Sequence, residues 1–157
     1  ELELTLRQIG IERSVVVMQG RTLGKIQDDA MRALVHKSWN LDQIDHGYAE
    51  FVARFRPLFR AVEKDRSCDG RIAFQIRTLM LQEYRTILLR DPLLPVEMLP
   101  AAWHGTAAYQ LCRNLYRLIY ASADEFMTRE FETADGPLPP PAPEFFRRFG
   151  GLVNRDT

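Results

Sequence analysis

The chain has 157 residues, of which 46% are hydrophobic and 27% are charged, a composition typical of one globular domain, or of one domain and part of another. Lysine and arginine together number 21, as do aspartate and glutamate, so the formal net charge is zero. A chain that binds DNA by itself needs an excess of basic residues, because neutralisation of the phosphates dominates the affinity. This chain has no such excess.

The cysteine count and the hydropathy favour the cytoplasm. Cys68 and Cys112 are the only cysteines, and two cysteines without a secretory leader are typical of reduced thiols. No apolar run approaches the roughly 18 residues that span a bilayer, so we expect no membrane partner. The sequence begins with Glu1, in what reads as the middle of a domain, and we interpret it as a fragment of a longer protein.

The first 40 residues carry a mixed pattern. Residues 1–10 have leucine and isoleucine at helical spacing, although the leucines also alternate as in a strand. The run 14–18 is rich in valine and predicts a buried strand, which needs partner strands that the sequence does not supply. Asp28 and Asp29 are predicted to open the next helix, because acidic side chains are favoured at a helix N-terminus.

Three longer amphipathic helices are predicted after residue 40. Asn40 is expected to cap the first, in which Pro57 should produce a kink. The second covers 71–89 and the third 104–129, and their apolar periodicity predicts a helical bundle. The positions expected to face the core are Leu41, Ile44, Tyr48, Phe51, Val52, Phe55, Leu58, Phe59, Val62, Ile72, Ile76, Leu79, Met80, Tyr84, Ile87, Leu88, Ala108, Leu111, Cys112, Leu115, Leu118, Ile119, Ser122, Ala123 and Phe126.

Two charged residues interrupt the apolar face of the second helix. Arg77 and Glu83 fall inside that face or at its edge. A charge in such a position must be paired or bound to a ligand, because an unpaired buried ion is strongly destabilising. We expect an internal ion pair that fixes the packing of the helices. The alternative is that Arg77 faces an anionic ligand.

A connector with three prolines joins the second and third helices. Pro92, Pro95 and Pro100 restrict the backbone to extended or turn geometry. Most of the other side chains are apolar, so we expect a rigid corner that forms part of the core. These apolar side chains are Leu93, Leu94, Met98, Leu99 and Trp103.

The segment 136–143 is polyproline-like and is expected to have no helix or sheet to join. It should cross the surface as a strap and return Phe145, Phe146 and Phe149 to the bundle.

The proline-rich connector, together with residues of the segments before and after it, resembles the signature of the C-terminal domain of the phenylacetate-catabolism transcriptional repressors of the PaaX type. The likeness covers roughly residues 30 to 152. It lies in Trp39, Leu41, Tyr48, Phe51, Phe55-Arg56-Pro57-Leu58, Tyr84-Arg85, Leu89-Arg90-Asp91-Pro92-Leu93-Leu94-Pro95, Leu99-Pro100, Trp103, Gly105, Ala108, Leu111-Cys112 and Arg148-Phe149-Gly150-Gly151-Leu152.

The resemblance implies a mainly α fold, in which a helical C-terminal domain at 37–157 follows a small α/β remnant of a ferredoxin-like central domain at 1–36. It implies a bacterial, cytoplasmic homodimer that contacts operator DNA through a winged-helix domain upstream of this chain. It implies no cofactor, but an effector that releases the repressor from DNA. The expected effector is an aryl-coenzyme A thioester, typically phenylacetyl-coenzyme A.

The sequence contains no pattern typical of catalysis or of metal binding. His36, His46 and His104 show no metal-ligand spacing with each other or with a cysteine. Cys112 follows His104 by eight residues, about 12 Å along one helix, too far for a nucleophile and its base. We expect no enzyme, no catalytic residue and no metal site. A thioester hydrolase that uses Cys112 is the least favoured alternative.

One constellation of side chains is suited to binding, because aromatic rings hold planar apolar groups and arginines hold phosphates or carboxylates. Two interpretations stay open: a module that senses the effector, and a module that only dimerises while the effector binds elsewhere. A simpler role for Trp103 is to fill the core. The candidate effector-binding residues are Arg77, Tyr84, Arg85, Arg90, Trp103 and His104.

Overall fold

The structure is a computed structural model that describes residues 2–10, 13–15, 25–65 and 67–152. It is mainly α-helical, as predicted, and the chain divides into two compact units, Glu1–Lys37 and Ser38–Thr157. The assignment of residues 1–36 to a ferredoxin-like domain stays a prediction.

The first unit contains helix α1, Leu2–Gln8, and most of helix α2, Lys25–Ser38. Gly10 follows α1 with a φ of 71°, the left-handed conformation that commonly ends a helix. The strand predicted at 14–18 falls mostly on residues outside the described part of the chain. Helix α2 begins before the two aspartates predicted to open it, which are its fourth and fifth residues, because an acidic side chain is favourable near a helix N-terminus without defining the first residue.

The second unit is a bundle of three helices: α3, Leu41–Asp65, α4, Gly70–Leu88, and α5, Gly105–Glu130. The contact between α4 and α5 is the most extensive, and α3 packs on both. The predicted cap of α3 is confirmed, since the Asn40 side-chain oxygen accepts the Gln43 N–H at 3.1 Å. Helix α3 continues through its internal proline.

The core of the bundle is formed by one face of each helix. Its buried residues are Leu41, Ile44, Tyr48, Phe51, Val52 and Phe55 from α3, Ala73, Met80 and Tyr84 from α4, and Ala108, Leu111, Cys112, Leu115, Tyr116, Ile119, Tyr120 and Ala123 from α5.

The predicted core was wrong at four leucine and isoleucine positions, Leu58, Ile72, Leu79 and Leu118, which are exposed. On α4 the buried face passes through Ala73, Met80 and Tyr84, and α4 approaches α5 closely at Gly70, where a Cβ atom would lie 2.9 Å from Phe126 Cβ. The neighbouring face that carries Ile72 and Leu79 is turned outwards. Apolar periodicity alone does not separate two adjacent faces of one helix.

The connector between α4 and α5 contains a short 3-10 helix, Val96–Met98. Its expected burial was wrong: Leu93 is 72% exposed, and the other apolar residues named for it are only half-buried. The connector therefore borders the bundle instead of filling its core.

A two-residue ladder follows α5. Strand β1, Glu132–Thr133, pairs antiparallel with strand β2, Gly136–Pro137, so the prediction that this segment joins no sheet was wrong at its start. The turn is possible because Gly136 adopts a φ of 123°, which side chains rarely permit.

We call residues 138–152 the strap. It includes a 3-10 segment, Pro143–Gly150, and ends in a run of positive φ angles at Phe149, Gly150 and Gly151. Arg117 of α5 holds this run, because its Nη2 donates to the carbonyl oxygens of Phe149 and Gly151 at 3.3 and 2.7 Å. The predicted return of phenylalanines to the bundle is confirmed at Phe145, whose ring lies 6.3 Å from that of Tyr120.

Candidate functional site

A pocket of about 530 Å³ opens between the proline connector and the start of α5, and we call it the corner pocket. Its wall consists mainly of aromatic and leucine side chains. The lining residues are Tyr48, Tyr84, Leu88, Asp91, Leu93, Leu94, Leu99, Trp103, Gly105, Thr106, Tyr109 and Phe149.

Tyr48 is the centre of the aromatic wall. Its ring centroid lies 5.6 Å from that of Trp103 in an edge-to-face arrangement and 6.1 Å from that of Tyr84. Offset and edge-to-face geometries are the favourable ones for aromatic pairs. The three rings thus form a packed surface against which a planar apolar group can lie.

The Asp91 carboxylate connects this wall to the backbone of the connector. Its Oδ2 accepts the Tyr48 hydroxyl at 2.8 Å, and its Oδ1 accepts the Leu93 N–H at 2.8 Å. Leu93 has a φ of 52°, which is unfavourable for a residue with a side chain, so the hydrogen bond from its N–H to Asp91 helps to stabilise the turn. Sequence reasoning missed Tyr48 and Asp91 as pocket residues. The available signal was a tyrosine on an apolar face, since a buried phenol hydroxyl usually requires a partner.

The ionisation of these groups follows from burial. Burial raises the pKa of Tyr84 to about 12, and burial together with the hydrogen bond to Asp91 raises the pKa of Tyr48 above its ordinary value. Both phenols are therefore neutral at physiological pH. Asp91 is the only charged side chain on this wall, and the rest of the pocket suits an uncharged group.

Gly105 makes room for Trp103. A Cβ atom at residue 105 would collide with the indole Nε1 of Trp103. The glycine at the first position of α5 is thus required by a close approach of the indole ring. Trp103 itself is only half-buried, so it forms part of the pocket wall and does not fill the core.

His104 lines neither the corner pocket nor a second pocket, which lies beneath the strap. Its backbone N–H donates to Asp45 Oδ1 at 2.6 Å, and its ring Nδ1 is 2.9 Å from Asp45 Oδ2. This contact joins the start of α5 to α3. Arg90 is exposed and also lines neither pocket.

A second pocket, of about 600 Å³, lies beneath the strap against α4 and α5, and we call it the strap pocket. Three guanidinium groups and one carboxylate reach it, among apolar side chains and three prolines. The lining residues are Arg77, Thr78, Leu81, Gln82, Arg85, Tyr116, Asp124, Met127, Thr128, Leu138, Pro139, Pro140, Pro141, Phe145 and Arg148.

The two charged residues on the apolar face of α4 have different partners. Glu83 forms an interhelical ion pair with Arg54 of α3, with 2.7 Å between Oε2 and Nη1, but the Arg54 side chain is 64% exposed, so the pair lies at the surface and is not the internal pair that was expected. Arg77 takes part in no ion pair among the described residues. Its guanidinium instead contacts the sulfur of Met127 and lies 5.9 Å from the Phe74 ring centroid.

The structure therefore separates the predicted binding residues. Tyr84 and Trp103 meet in the corner pocket, and Arg77 and Arg85 meet in the strap pocket.

The described residues contain no group of three or more histidine, cysteine, aspartate or glutamate side chains placed to hold a metal ion. Within the same part of the chain, no helix is long and apolar enough to cross a membrane. Burial raises the pKa of Cys112 to about 12, so this thiol is protonated in its core position.

The fold and the pockets define a three-helix module with an aromatic pocket at a proline corner. A family model described as the PaaX-like protein C-terminal domain matches residues 39–129, and the chain belongs to this family. The chain is also 36% identical, over 154 residues, to the transcriptional repressor PaaX of Escherichia coli strain K12. That alignment covers 97% of this chain and 48% of the relative, so the chain spans about half the length of that protein. The resemblance inferred from the corner residues is confirmed.

Proposed function

We propose that this chain is the effector-sensing and dimerising part of a bacterial transcriptional repressor of aromatic-compound catabolism. The similarity to a transcriptional repressor supports this role. The chain corresponds to about half of that relative and has no net charge, so operator contact is assigned to a region outside it. The proposed effector is phenylacetyl-coenzyme A or a related aryl-coenzyme A thioester, and the proposed location is the cytoplasm.

The observation that carries the proposal is the aromatic wall of the corner pocket. Its volume of about 530 Å³ falls within the roughly 300–1,000 Å³ of small-molecule sites. The rings of Tyr48, Tyr84 and Trp103 can hold a phenyl group, and a lining whose one charged side chain is the Asp91 carboxylate admits an acyl group more readily than an anion. The aryl end of the thioester is assigned to this pocket.

Release from DNA then requires a shift between two conformations. The effector must bind the released form more tightly than the form that contacts the operator. A hundredfold loss of operator affinity needs about 2.8 kcal/mol of differential binding. That amount is within the reach of a few buried aromatic contacts.

Tryptophan fluorescence provides a direct test, because the chain has two tryptophans and only Trp103 lines the corner pocket. In the Trp39→Phe variant, Trp103 is the sole reporter. We expect phenylacetyl-coenzyme A to change its emission saturably, and phenylacetate or coenzyme A alone to do so only weakly. In calorimetric titration, Trp103→Ala should weaken binding about tenfold or more, and Trp39→Phe should bind as the unaltered chain does.

A folded chain whose Trp103 emission is unchanged by the thioester would contradict sensing in the corner pocket. The effector site would then lie elsewhere, and dimerisation would remain as the role of this module. With the full-length protein, an operator affinity that phenylacetyl-coenzyme A does not change would refute the choice of effector.

A second candidate function, dimerisation without sensing, is favoured by the outer face of α4. Ile72 and Leu79 are 51% and 65% exposed, and with Ile76 they lie within about 60° on the helical wheel. Exposed apolar stripes of this kind often mark protein interfaces. Sedimentation velocity of Leu79→Arg tests this role, with Leu89→Arg as the control, since Leu89 is even more exposed, at 80%, but lies beyond the helix end. Loss of a dimer only in Leu79→Arg supports it, and a monomeric unaltered chain contradicts it.

A further inference from the structure

The strap pocket carries positive charge that the described residues do not neutralise. Arg77, Arg85 and Arg148 line it against a single carboxylate, Asp124, and none of these four groups is in an ion pair within the described part of the chain. Guanidinium groups beside a pocket recognise carboxylates and phosphates through paired N–H donors. The charge of this pocket therefore favours an anion.

Arg77 is the least solvated of the three arginines. It is half-buried on the side of α4 that faces α5, where its guanidinium contacts a methionine sulfur and an aromatic ring. Neither neighbour supplies the charged acceptor that a partly desolvated guanidinium normally has. An anion in the strap pocket would supply it.

Tyr116 provides a second, independent observation. This residue is 1% exposed and lines the strap pocket, and its hydroxyl has no hydrogen-bond partner among the residues that the structure describes. Buried hydroxyls are nearly always paired, and an unpaired one requires an explanation. A ligand oxygen in this pocket is the simplest partner.

The rest of the wall contains three polar side chains, Thr78, Gln82 and Thr128, but is mainly apolar, and most of its apolar residues belong to the strap. Leu138, Pro139 and Phe145 of the strap line the pocket together with Met127 of α5, so this apolar surface suits a ligand with an organic group as well as a charge. Arg148 lies beside this apolar surface, because its guanidinium is 5.1 Å from the Phe145 ring centroid. The pocket thus combines a site for an anion with a surface for an organic group.

The separation of the arginines indicates an extended ligand. Arg77 and Arg85 are eight residues apart on α4, about 12 Å along the helix axis. A single small ion does not span that distance between Cα atoms without folding both side chains towards it. An anion with more than one charged group can contact both ends.

From these contacts we infer that the strap pocket binds an organic ligand that carries more than one phosphate, in an arrangement such as a diphosphate ester. Arg85 and Arg148 hold the phosphates at the mouth, and Arg77 holds the innermost one. The inference does not depend on the acyl group assigned to the corner pocket. The phosphates can belong to the coenzyme A portion of the proposed effector or to a separate diphosphate compound.

Calorimetric titration of the 157-residue chain with inorganic diphosphate, coenzyme A and adenosine diphosphate tests this site. We expect saturable binding of coenzyme A that weakens at least tenfold in Arg85→Gln and in Arg148→Gln. Arg90→Gln is the matched control, since it removes an exposed arginine next to α4 that lines neither pocket, and it should bind as the unaltered chain does. Both pocket variants change exposed side chains, so circular dichroism should report an unchanged fold.

The ligands distinguish the sources of the phosphate. Tighter binding of coenzyme A than of adenosine diphosphate assigns the site to a coenzyme A compound, and the reverse order assigns it to a separate diphosphate ester. No binding of any of the three, or equal losses in Arg90→Gln and Arg85→Gln, overturns the inference. Trp103 emission reports on the corner pocket alone, so it separates this inference from the proposed function. Coenzyme A that binds in the strap pocket without changing that emission supports the strap site, whatever the thioester does in the corner pocket.

Discussion

Replacement of Tyr48 by phenylalanine tests whether its hydrogen bond to Asp91 holds the proline connector in place. The change removes only the hydroxyl, which donates at 2.8 Å, and keeps the ring that packs against Trp103 and Tyr84. A hydrogen bond to a charged group contributes about 1.5–3 kcal/mol. Asp91 is half-buried and keeps the Leu93 N–H as a donor, so we expect the lower value, about 1.5 kcal/mol.

In a domain of this size, about 1 kcal/mol shifts the Tm by about 2–4 °C, so Tyr48→Phe should melt about 3–6 °C below the unaltered chain. Urea unfolding should show a lower midpoint at an unchanged slope. Tyr109→Phe is the matched control, because Tyr109 also lines the corner pocket but is 39% exposed and makes no side-chain hydrogen bond within the described ranges of the chain. Its stability should change by less than about 0.5 kcal/mol.

A double-mutant cycle with Asp91→Ala isolates the pair. In the Asp91→Ala background, Tyr48→Phe should cost little, which gives a coupling energy of about 1 kcal/mol or more. An equal cost of Tyr48→Phe in both backgrounds would refute the reasoning, since the hydroxyl would then act through some other contact.

Three further predictions concern the core and the pocket wall. Gly105→Ala should destabilise the chain by about 1–3 kcal/mol in urea unfolding, because the new methyl group collides with Trp103; unchanged stability would contradict the close approach. Burial raises the pKa values of Tyr84 and Cys112 to about 12, from 10.0 and 9.0, because the folded state favours the neutral phenol and thiol. The resulting contribution to stability is complete below pH 9 and is lost as the pH rises towards 12. Urea midpoints measured from pH 8 to 11.5 should therefore fall, and a flat profile would count against this burial. At pH 8, iodoacetamide should modify half-buried Cys68 before buried Cys112, as peptide mass spectrometry can show, with equal labelling only in urea.

The local features of the fold could be predicted from the sequence. The start of α3 at Asn40 and the course of α5 follow from a capping side chain and from apolar periodicity, which act within a few residues. The turn between α4 and α5 follows from three prolines that restrict the backbone directly. The same residues indicated the family, which the comparison confirms.

The choice of buried face on α4 could not be predicted in this way. Ala73 is fully buried while Leu79 is 65% exposed, although leucine is much the more hydrophobic residue. The packing of α4 against α5 decides this, since the two helices form the most extensive contact in the bundle and approach closely at Gly70. Burial is therefore a property of the pair of helices, not of either sequence segment.

The sequence by itself determined which residue types are available for binding, namely aromatic rings and arginines around one proline-rich connector. Only the tertiary structure decided that they serve two different pockets. Tyr84 and Arg85 are adjacent in the chain, yet they point about 100° apart on α4, so one lines the corner pocket and the other the strap pocket. The partner of Tyr48 was equally hidden, because Asp91 lies 43 residues away and reaches the phenol only when the connector closes over α3.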